Sequence, residues 1–176
     1  MAALHLPKRW VYGSWTGLLG RLIEAGTIEP GRAIDLGCGV GEEALYLAEN
    51  GFDVTGIDIS PTAIKLADRR ASSLKLPVRF AVDDVTDLKG DYGTFDLLVD
   101  IGTLNDVDQS GRGAYVQTVR SLSRPESRFI LVGFDSKLPI EERENRFGSD
   151  FTLETLDERT EPLLRRRMIT SLLVRR

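Results

Sequence analysis

Gly37, Gly39 and Gly41 follow a short β-type run and open a helical pattern, and Asp58 lies 21 positions after Gly37 at the end of the next β-type run. Glycines at such a turn admit positive φ and let a ligand approach the backbone with no Cβ in the way. A carboxylate about 20 residues further on can accept hydrogen bonds from both hydroxyls of a ribose. The pair therefore points to an adenosine-type cofactor. A dinucleotide fingerprint would read G-x-G-x-x-G, with pyrophosphate against the helix N-terminus. Here the spacing is G-x-G-x-G, and Glu42 stands where the third glycine would be. That acid, with Asp35 on the preceding run, would repel a pyrophosphate and suits a cofactor that is cationic near its reactive centre.

Other chemistries are narrowed by scarcity. The chain has one cysteine, Cys38, and one histidine, His5. An internal disulfide, a cysteine-rich zinc site and a two-histidine metal site are thus excluded, and no metal is expected. A Ser-His-Asp arrangement would need His5, in a terminal segment prone to fraying. Chemistry is left to carboxylates, backbone groups, hydroxyls or a borrowed cofactor.

The elements that must position these residues read as alternating strands and helices. Arg32–Leu36, Asp53–Asp58, Val78–Val82, Phe95–Ile101 and Arg128–Phe134 read as strands. Gly41–Asn50 reads as a helix ended by Gly51. A second helix starts at Ser60-Pro61, as N-cap and first-turn proline, with Ile64, Ala67, Ala71 and Leu74 at helical spacing. Further helices are expected at 17–25, 113–122 and 140–147. Continuous rather than alternating apolar strands imply burial on both faces, and the alternation implies right-handed crossovers in a mainly parallel sheet. The fold class is α/β, a doubly wound three-layer sandwich. Phe151–Leu156 and Arg167–Val174 are too close for a helical crossover, so an antiparallel hairpin should close one sheet edge.

The ordered motifs resemble those of the class I S-adenosylmethionine-dependent methyltransferases, from about Gly31 to Arg175. The run Asp35, Leu36, Gly37, Cys38, Gly39, Val40, Gly41 is similar to the family's first motif, and Gly56, Ile57, Asp58, Ile59, Ser60 to its second. Asp83 to Leu88 resembles the acidic segment after strand three. There the resemblance implies that Asp84 takes the adenine amino group and Val85 supplies a backbone contact. Phe95 to Gly102 resembles the strand-four motif, so Asp100 and Ile101 would face the methionine moiety. The finer similarity is to small members of the thiopurine and tellurite-resistance type, whose strand four is often followed by D-x-G-x-x-H. This chain has Asn105 at the histidine position, followed by Asp106. Asn105 and Asp106 are therefore the candidate catalytic residues. The family implies seven strands, the last antiparallel, with S-adenosylmethionine as methyl donor and S-adenosylhomocysteine as product. An N-terminal segment that covers the cofactor is also implied, and Trp10, Tyr12 and Trp15 are its candidate lid or substrate residues.

The chain of 176 residues fits one domain, with residues 1–30 as lid region and 31–176 as core. Net charge of -4 and a pI near 5.1 argue against the basic platform of a nucleic-acid enzyme. A small-molecule methyl acceptor is the expected partner. No apolar run approaches a membrane span, and Met1 to Arg9 lacks a secretory pattern, so a cytoplasmic setting is expected. Monomer and homodimer both remain open. Three other readings remain: a non-catalytic cofactor binder, a nicotinamide oxidoreductase, and an RNA-modifying enzyme using the arginine-rich end, Arg165 to Arg167 with Arg175 and Arg176.

Overall fold

The computed structural model describes residues 15–161 and 165–176. Its elements run α1 (Trp15–Glu24), β1 (Arg32–Leu36), α2 (Glu42–Glu49), β2 (Asp53–Asp58), α3 (Pro61–Leu74), β3 (Arg79–Val82), β4 (Phe95–Ile101), α4 (Thr103–Asp106), α5 (Arg112–Leu122), β5 (Ser123–Phe134), α6 (Ile140–Phe147), β6 (Phe151–Glu161) and β7 (Arg166–Arg175). They build one seven-stranded sheet in the order β3-β2-β1-β4-β5-β7-β6. Strands β1 to β5 pair in parallel, and β7 runs antiparallel to both β5 and β6. The doubly wound architecture and the antiparallel C-terminal hairpin follow the expectation from sequence.

The apolar strands are continuous because helices cover both faces. In β4, Phe95 and Leu98 enter one core layer while Leu97 and Val99 enter the other. In β5, Phe129 and Leu131 face the first layer, Ile130 and Val132 the second. Each such side chain contributes about 1.5–3 kcal/mol by leaving water. The first layer holds Tyr115, Val116 and Val119 of α5, and the second holds Leu18, Leu19 and Leu22 of α1 with Ala44 and Leu47 of α2. Phe147 joins α6 to the sheet through edge-on ring contacts with Phe129 and Phe151, at 5.8 Å and 6.0 Å between centroids.

Local signals explain most element ends. The Ser60 hydroxyl accepts from the Ala63 N–H at 3.2 Å, and Pro61 opens α3. Gly51, with φ of 87°, follows α2 in the left-handed region. Leu74 differs from the expected helix face: it is 38% exposed, while Ile64, Ala67 and Ala71 are buried. The stripe on α3 thus ends one turn early. Strand β6 also continues past Leu156 to Glu161, because β7 supplies partners in register up to Glu161–Arg166. A register shift between Thr155 and Asp157 accompanies that extension.

The order of strands reverses between β1 and β4. Chains leave their carboxyl ends toward opposite faces there, which opens a crevice. The Gly37 turn lies at that point.

Candidate active site

A cavity of about 880 Å³ opens at the carboxyl ends of the parallel strands. Its walls include Gly37, Asp58, Ile59, Asp84, Val85, Ile101 and Asn105, with Trp15, Phe134 and Met168. Sites for small molecules commonly fall within about 300–1,000 Å³.

The turn after β1 is pinned to β2, since the N–H groups of Gly37 and Cys38 both donate to the Ile57 carbonyl, at 2.8 and 2.9 Å. Gly37 has φ of 74°. A Cβ there would sit 2.0 Å from Thr103 Oγ1, which itself donates to the Leu36 carbonyl at 2.8 Å. Glycine is therefore required both by backbone conformation and by the close approach of α4. Asp58 is locked by two backbone donors: Gly39 N–H to Oδ2 and Ser60 N–H to Oδ1, each at 2.8 Å. Each oxygen keeps a lone pair for a ligand hydroxyl. Ile59 beside it is 68% exposed and borders the cavity, presenting an apolar face for a ring.

Asp83 and Asp84 divide their roles. Asp83 is buried and accepts from the N–H groups of Asp84, Lys89 and Gly90 and from the Tyr92 hydroxyl. Burial raises its pKa, but these bonds outweigh that and hold the carboxyl below its ordinary range. It fixes the loop. Asp84 Oδ1 accepts from the Thr86 N–H and hydroxyl, both at 2.7 Å, while no hydrogen bond reaches Oδ2 among the described residues. Asp84 thus has an oxygen to offer at the cavity wall.

Asp100 is not among the residues that line the cavity. It is fully buried, and its oxygens accept from Thr103 N–H at 2.7 Å, Leu104 N–H at 3.0 Å and Tyr115 hydroxyl at 2.5 Å. Its carboxylate caps the first turn of α4 and does not border the cavity. Burial pushes its pKa up to about 6, with the three donors pulling the other way. Asp35, Cys38, Gly39 and Gly41 are not among the residues that line the cavity either. Asp35 is buried, with Oδ2 unpartnered among the described residues, and burial followed by Glu43 and Asp100 raises its pKa well above the usual carboxylate value. Cys38 fills space against Gly56, where a Cβ would lie 2.9 Å from its sulfur, and burial pushes its thiol strongly upward. Glu42 faces a separate surface groove with Val40, Leu66 and Arg70. The acid near Asp35 is instead Glu43, whose pKa burial pushes up to about 7. Its position one residue into the helix gave no signal in the sequence.

Asn105 and Asp106 both reach the cavity, differently. Asn105 is 6% exposed, and neither its Oδ1 nor its Nδ2 has a partner among the described residues. Asp106 stands on the rim with its side chain 83% exposed and pairs with Lys137 at 3.0 Å. Its neighbour Asp108 accepts from Ser110 and Gly111 and shapes the loop that forms one wall. Arg112 anchors that loop, donating to the carbonyls of Val107 and Lys137 and pairing with Glu142 at 2.7 Å. Trp15 borders the cavity, whereas Trp10, Tyr12 and His5 lie outside the described residues. Phe134 and Met168 were missed, because their closeness depends on β7 lying beside β5. Among the described residues no group of acids, histidine and cysteine is arranged to hold a metal ion, and no helix is long and apolar enough to cross a membrane.

Comparison with known proteins agrees with this geometry. Residues 33–126 match the model of a methyltransferase domain. A 2-heptyl-1-hydroxyquinolin-4(1H)-one methyltransferase of Mycobacteroides abscessus is 34% identical over 127 residues, 72% of this chain and 56% of that protein. The chain thus spans little more than half of that relative's length. A TehB-like methyltransferase from Corynebacterium glutamicum has a TM-score of 0.75 at 20% identity, covering 96% of this chain and 90% of that one. The N-methyltransferase NodS from Bradyrhizobium japonicum, solved with S-adenosylhomocysteine, reaches 0.78 at 17% identity over 92% and 85%. With a family match spanning more than half of its residues, and with this strand order and glycine turn, the chain belongs to the class I S-adenosylmethionine-dependent methyltransferases.

Proposed function

We propose that the chain transfers a methyl group from S-adenosylmethionine to a small-molecule acceptor. The residues present fit this cofactor. Asp58 offers lone pairs to a ribose diol, Asp84 and the Val85 backbone stand where an adenine edge would lie, and Ile59 supplies an apolar face. Asp35, Glu43 and Asp58 gather carboxyl groups around the glycine turn; burial and mutual repulsion raise the pKa of the first two, so a nearby cation would favour their ionised form and a diphosphate would oppose it. The single observation that carries the reading is Asp58, held by Gly39 and Ser60 at the mouth of the strand-order reversal.

The cofactor supplies a methyl group already activated by its sulfonium, so the protein's work is alignment and exclusion of water. Holding the reacting pair within about 3–3.5 Å can contribute on the order of 7–11 kcal/mol. Asn105 is the residue best placed to orient an acceptor, since its buried amide has no partner among the described residues. Leaving it so costs about 1–3 kcal/mol; a bound polar group would relieve that cost. An ionised acceptor would need no general base. Trp15 at the cavity supports a covering role for the start of the 1–30 region, while the rest of α1 packs into the single core domain. The hydroxyquinolone named for the Mycobacteroides abscessus relative supports an acceptor of small-molecule size.

Thermal melts with S-adenosylmethionine, S-adenosylhomocysteine and NAD test the reading. Ligand at about 100 times its dissociation constant stabilises by about 2.7 kcal/mol. Stabilisation by the first two is expected; a response to NAD alone refutes the proposal. Tight cofactor binding with no product from any acceptor would instead indicate a binder without catalysis.

A further inference from the structure

Strand β6 changes face partway along its length. Thr152 and Glu154 pair with Val174 and Leu172 of β7, and after a register shift between Thr155 and Asp157 the pairs become Asp157–Thr170 and Arg159–Met168. Side chains of paired residues share a face, and Leu172, Val174 and Met168 pack in the layer that α1 covers. A one-residue slip turns over every side chain that follows it, and a bulge can re-aim a side chain in this way. Had the first register continued, Glu158 would stand opposite Met168 on that face. The shift puts Arg159 there instead and sends Glu158 to the other face, where it pairs with Arg167. Met168 pairs in turn with Phe134 of β5, so Phe134, Met168 and Arg159 form one row across three strands. Trp15, at the start of α1, packs in the same layer as Phe134 and Met168. The Arg159 guanidinium lies over its ring, 3.9 Å from the centroid.

Trp15, Phe134 and Met168 line the cavity, whereas Arg159 is not part of its lining. The three stand beside β5 and β7, across the strand-order reversal from Asp58 and Asp84 beyond β2 and β3. Resting on the methyltransferase reading, we infer that Arg159 is a positioning residue for the acceptor end of this cavity: it fixes the Trp15 indole so that Trp15, Phe134 and Met168 make one apolar wall against which an apolar ring of the acceptor lies. A guanidinium stacks flat on an indole and is drawn to its negative face. The aromatic surface so fixed is suited to a ring. Arg159 therefore acts on the ligand only through Trp15. Inward-turned charge can also discourage an edge strand from pairing, but that role would not depend on Trp15, which separates the two by experiment.

Tryptophan fluorescence reads the indole directly. The chain has two tryptophans, so Trp10→Phe leaves Trp15 as the reporter. In that background Arg159→Leu should raise the acrylamide quenching constant of Trp15 at least twofold. It should also weaken binding of the neutral ring probe N-phenyl-1-naphthylamine threefold or more. Arg159→Lys, which keeps a cation for the ring, should restore most of both. Trp15→Ala in the wild-type chain should weaken the probe at least as much, and adding Arg159→Leu to it should change the probe's affinity no further. Unchanged quenching and probe affinity in Arg159→Leu overturn the inference. So does a loss of probe affinity that persists undiminished when Arg159→Leu is added to Trp15→Ala, or a wild-type chain that does not bind the probe. S-adenosylhomocysteine titrated into the same samples reports the cofactor end separately, and its affinity should stay within twofold in Arg159→Leu. Its failure to bind the wild-type chain removes the methyltransferase reading, whereas binding with Trp15 indifferent to Arg159 removes only the positioning role.

Discussion

The Tyr115 hydroxyl donates to Asp100 across 2.5 Å, joining the middle of α5 to the end of β4 inside the core. Both residues are fully buried, so the bond works where water cannot replace it. Tyr115→Phe should cost about 1.5–3 kcal/mol, the range for hydrogen bonds to charged groups. Urea denaturation at pH 7 measures it.

Asp100 also gives stability a pH dependence of known sign. Its folded pKa is raised to about 6 from 3.8, chiefly by burial. Between those values the folded state holds a proton that the unfolded state has lost, so this group's contribution to stability falls as pH rises through that window and levels off above it. Asp100→Asn should flatten that part of the profile. Chemical denaturation midpoints from pH 4 to 7 for both proteins provide the comparison; an unchanged slope would show that Asp100 titrates normally.

Gly37 is held to glycine by two independent constraints: φ of 74° and a Cβ position 2.0 Å from Thr103 Oγ1. Gly37→Ala should lose about 1–3 kcal/mol to backbone strain alone, with the clash added. Thr103→Ala in the same chain should recover part of the clash. The double-mutant cycle would then show coupling of about 0.5 kcal/mol or more between the sites. Strict additivity would mean that α4 moves aside.

Much of this arrangement was legible because it is local. The glycine turn and Asp58 announce themselves through spacing, and α6 is bounded as the sequence suggests, by Pro139 before Ile140 and Gly148 after Phe147. Where tertiary partners decide, the sequence carried less. Helix α4 spans four residues, with Gly102 at its N-cap and the Asp100 carboxylate accepting from its first turn. A strand-end acid that caps a turn and one that meets a ligand look identical in sequence, and only the folded chain shows Asp100 accepting from the Thr103 and Leu104 N–H groups. The outer half of β6, polar from Asp157 onward, is a strand because β7 pairs with it. Arg143 had no signal either, lying on a charged helix and yet fully buried.

Asp58→Ala removes the acceptor for both Gly39 N–H and Ser60 N–H as well as the ribose contact proposed for it. Cofactor affinity should fall by tenfold or more, about 1.4 kcal/mol. Asp58→Asn separates the two effects. Its amide oxygen can still accept from one of the two backbone donors, while its NH2 opposes the other, so the turn is partly kept and ribose recognition weakened. Calorimetric titration with S-adenosylhomocysteine should rank wild type above Asn and Asn above Ala. Equal affinities would remove Asp58 from the site.

Arg143 is the last case, a guanidinium with no carboxylate within ion-pair distance among the described residues. It donates to the carbonyls of Leu131, Gly133, Leu138 and Ile169 and to the Ser171 hydroxyl, tying β5, β7 and the start of α6 together. Burial lowers its pKa to about 10, against the pull of Asp100 and Asp135, so it remains charged at neutral pH. Arg143→Met fills similar space but leaves those acceptors unsatisfied, at about 1–3 kcal/mol for each that water cannot reach. Only part of that sum should appear, because local shifts and water entry relieve some of it. A loss of several kcal/mol is still expected, visible as a lower melting temperature. Arg143→Lys keeps the charge but cannot span carbonyls on two strands with a planar fork, so it should fall between the two. If both variants melt with the wild type, the β5–β7 junction is stabilised by its ladder alone.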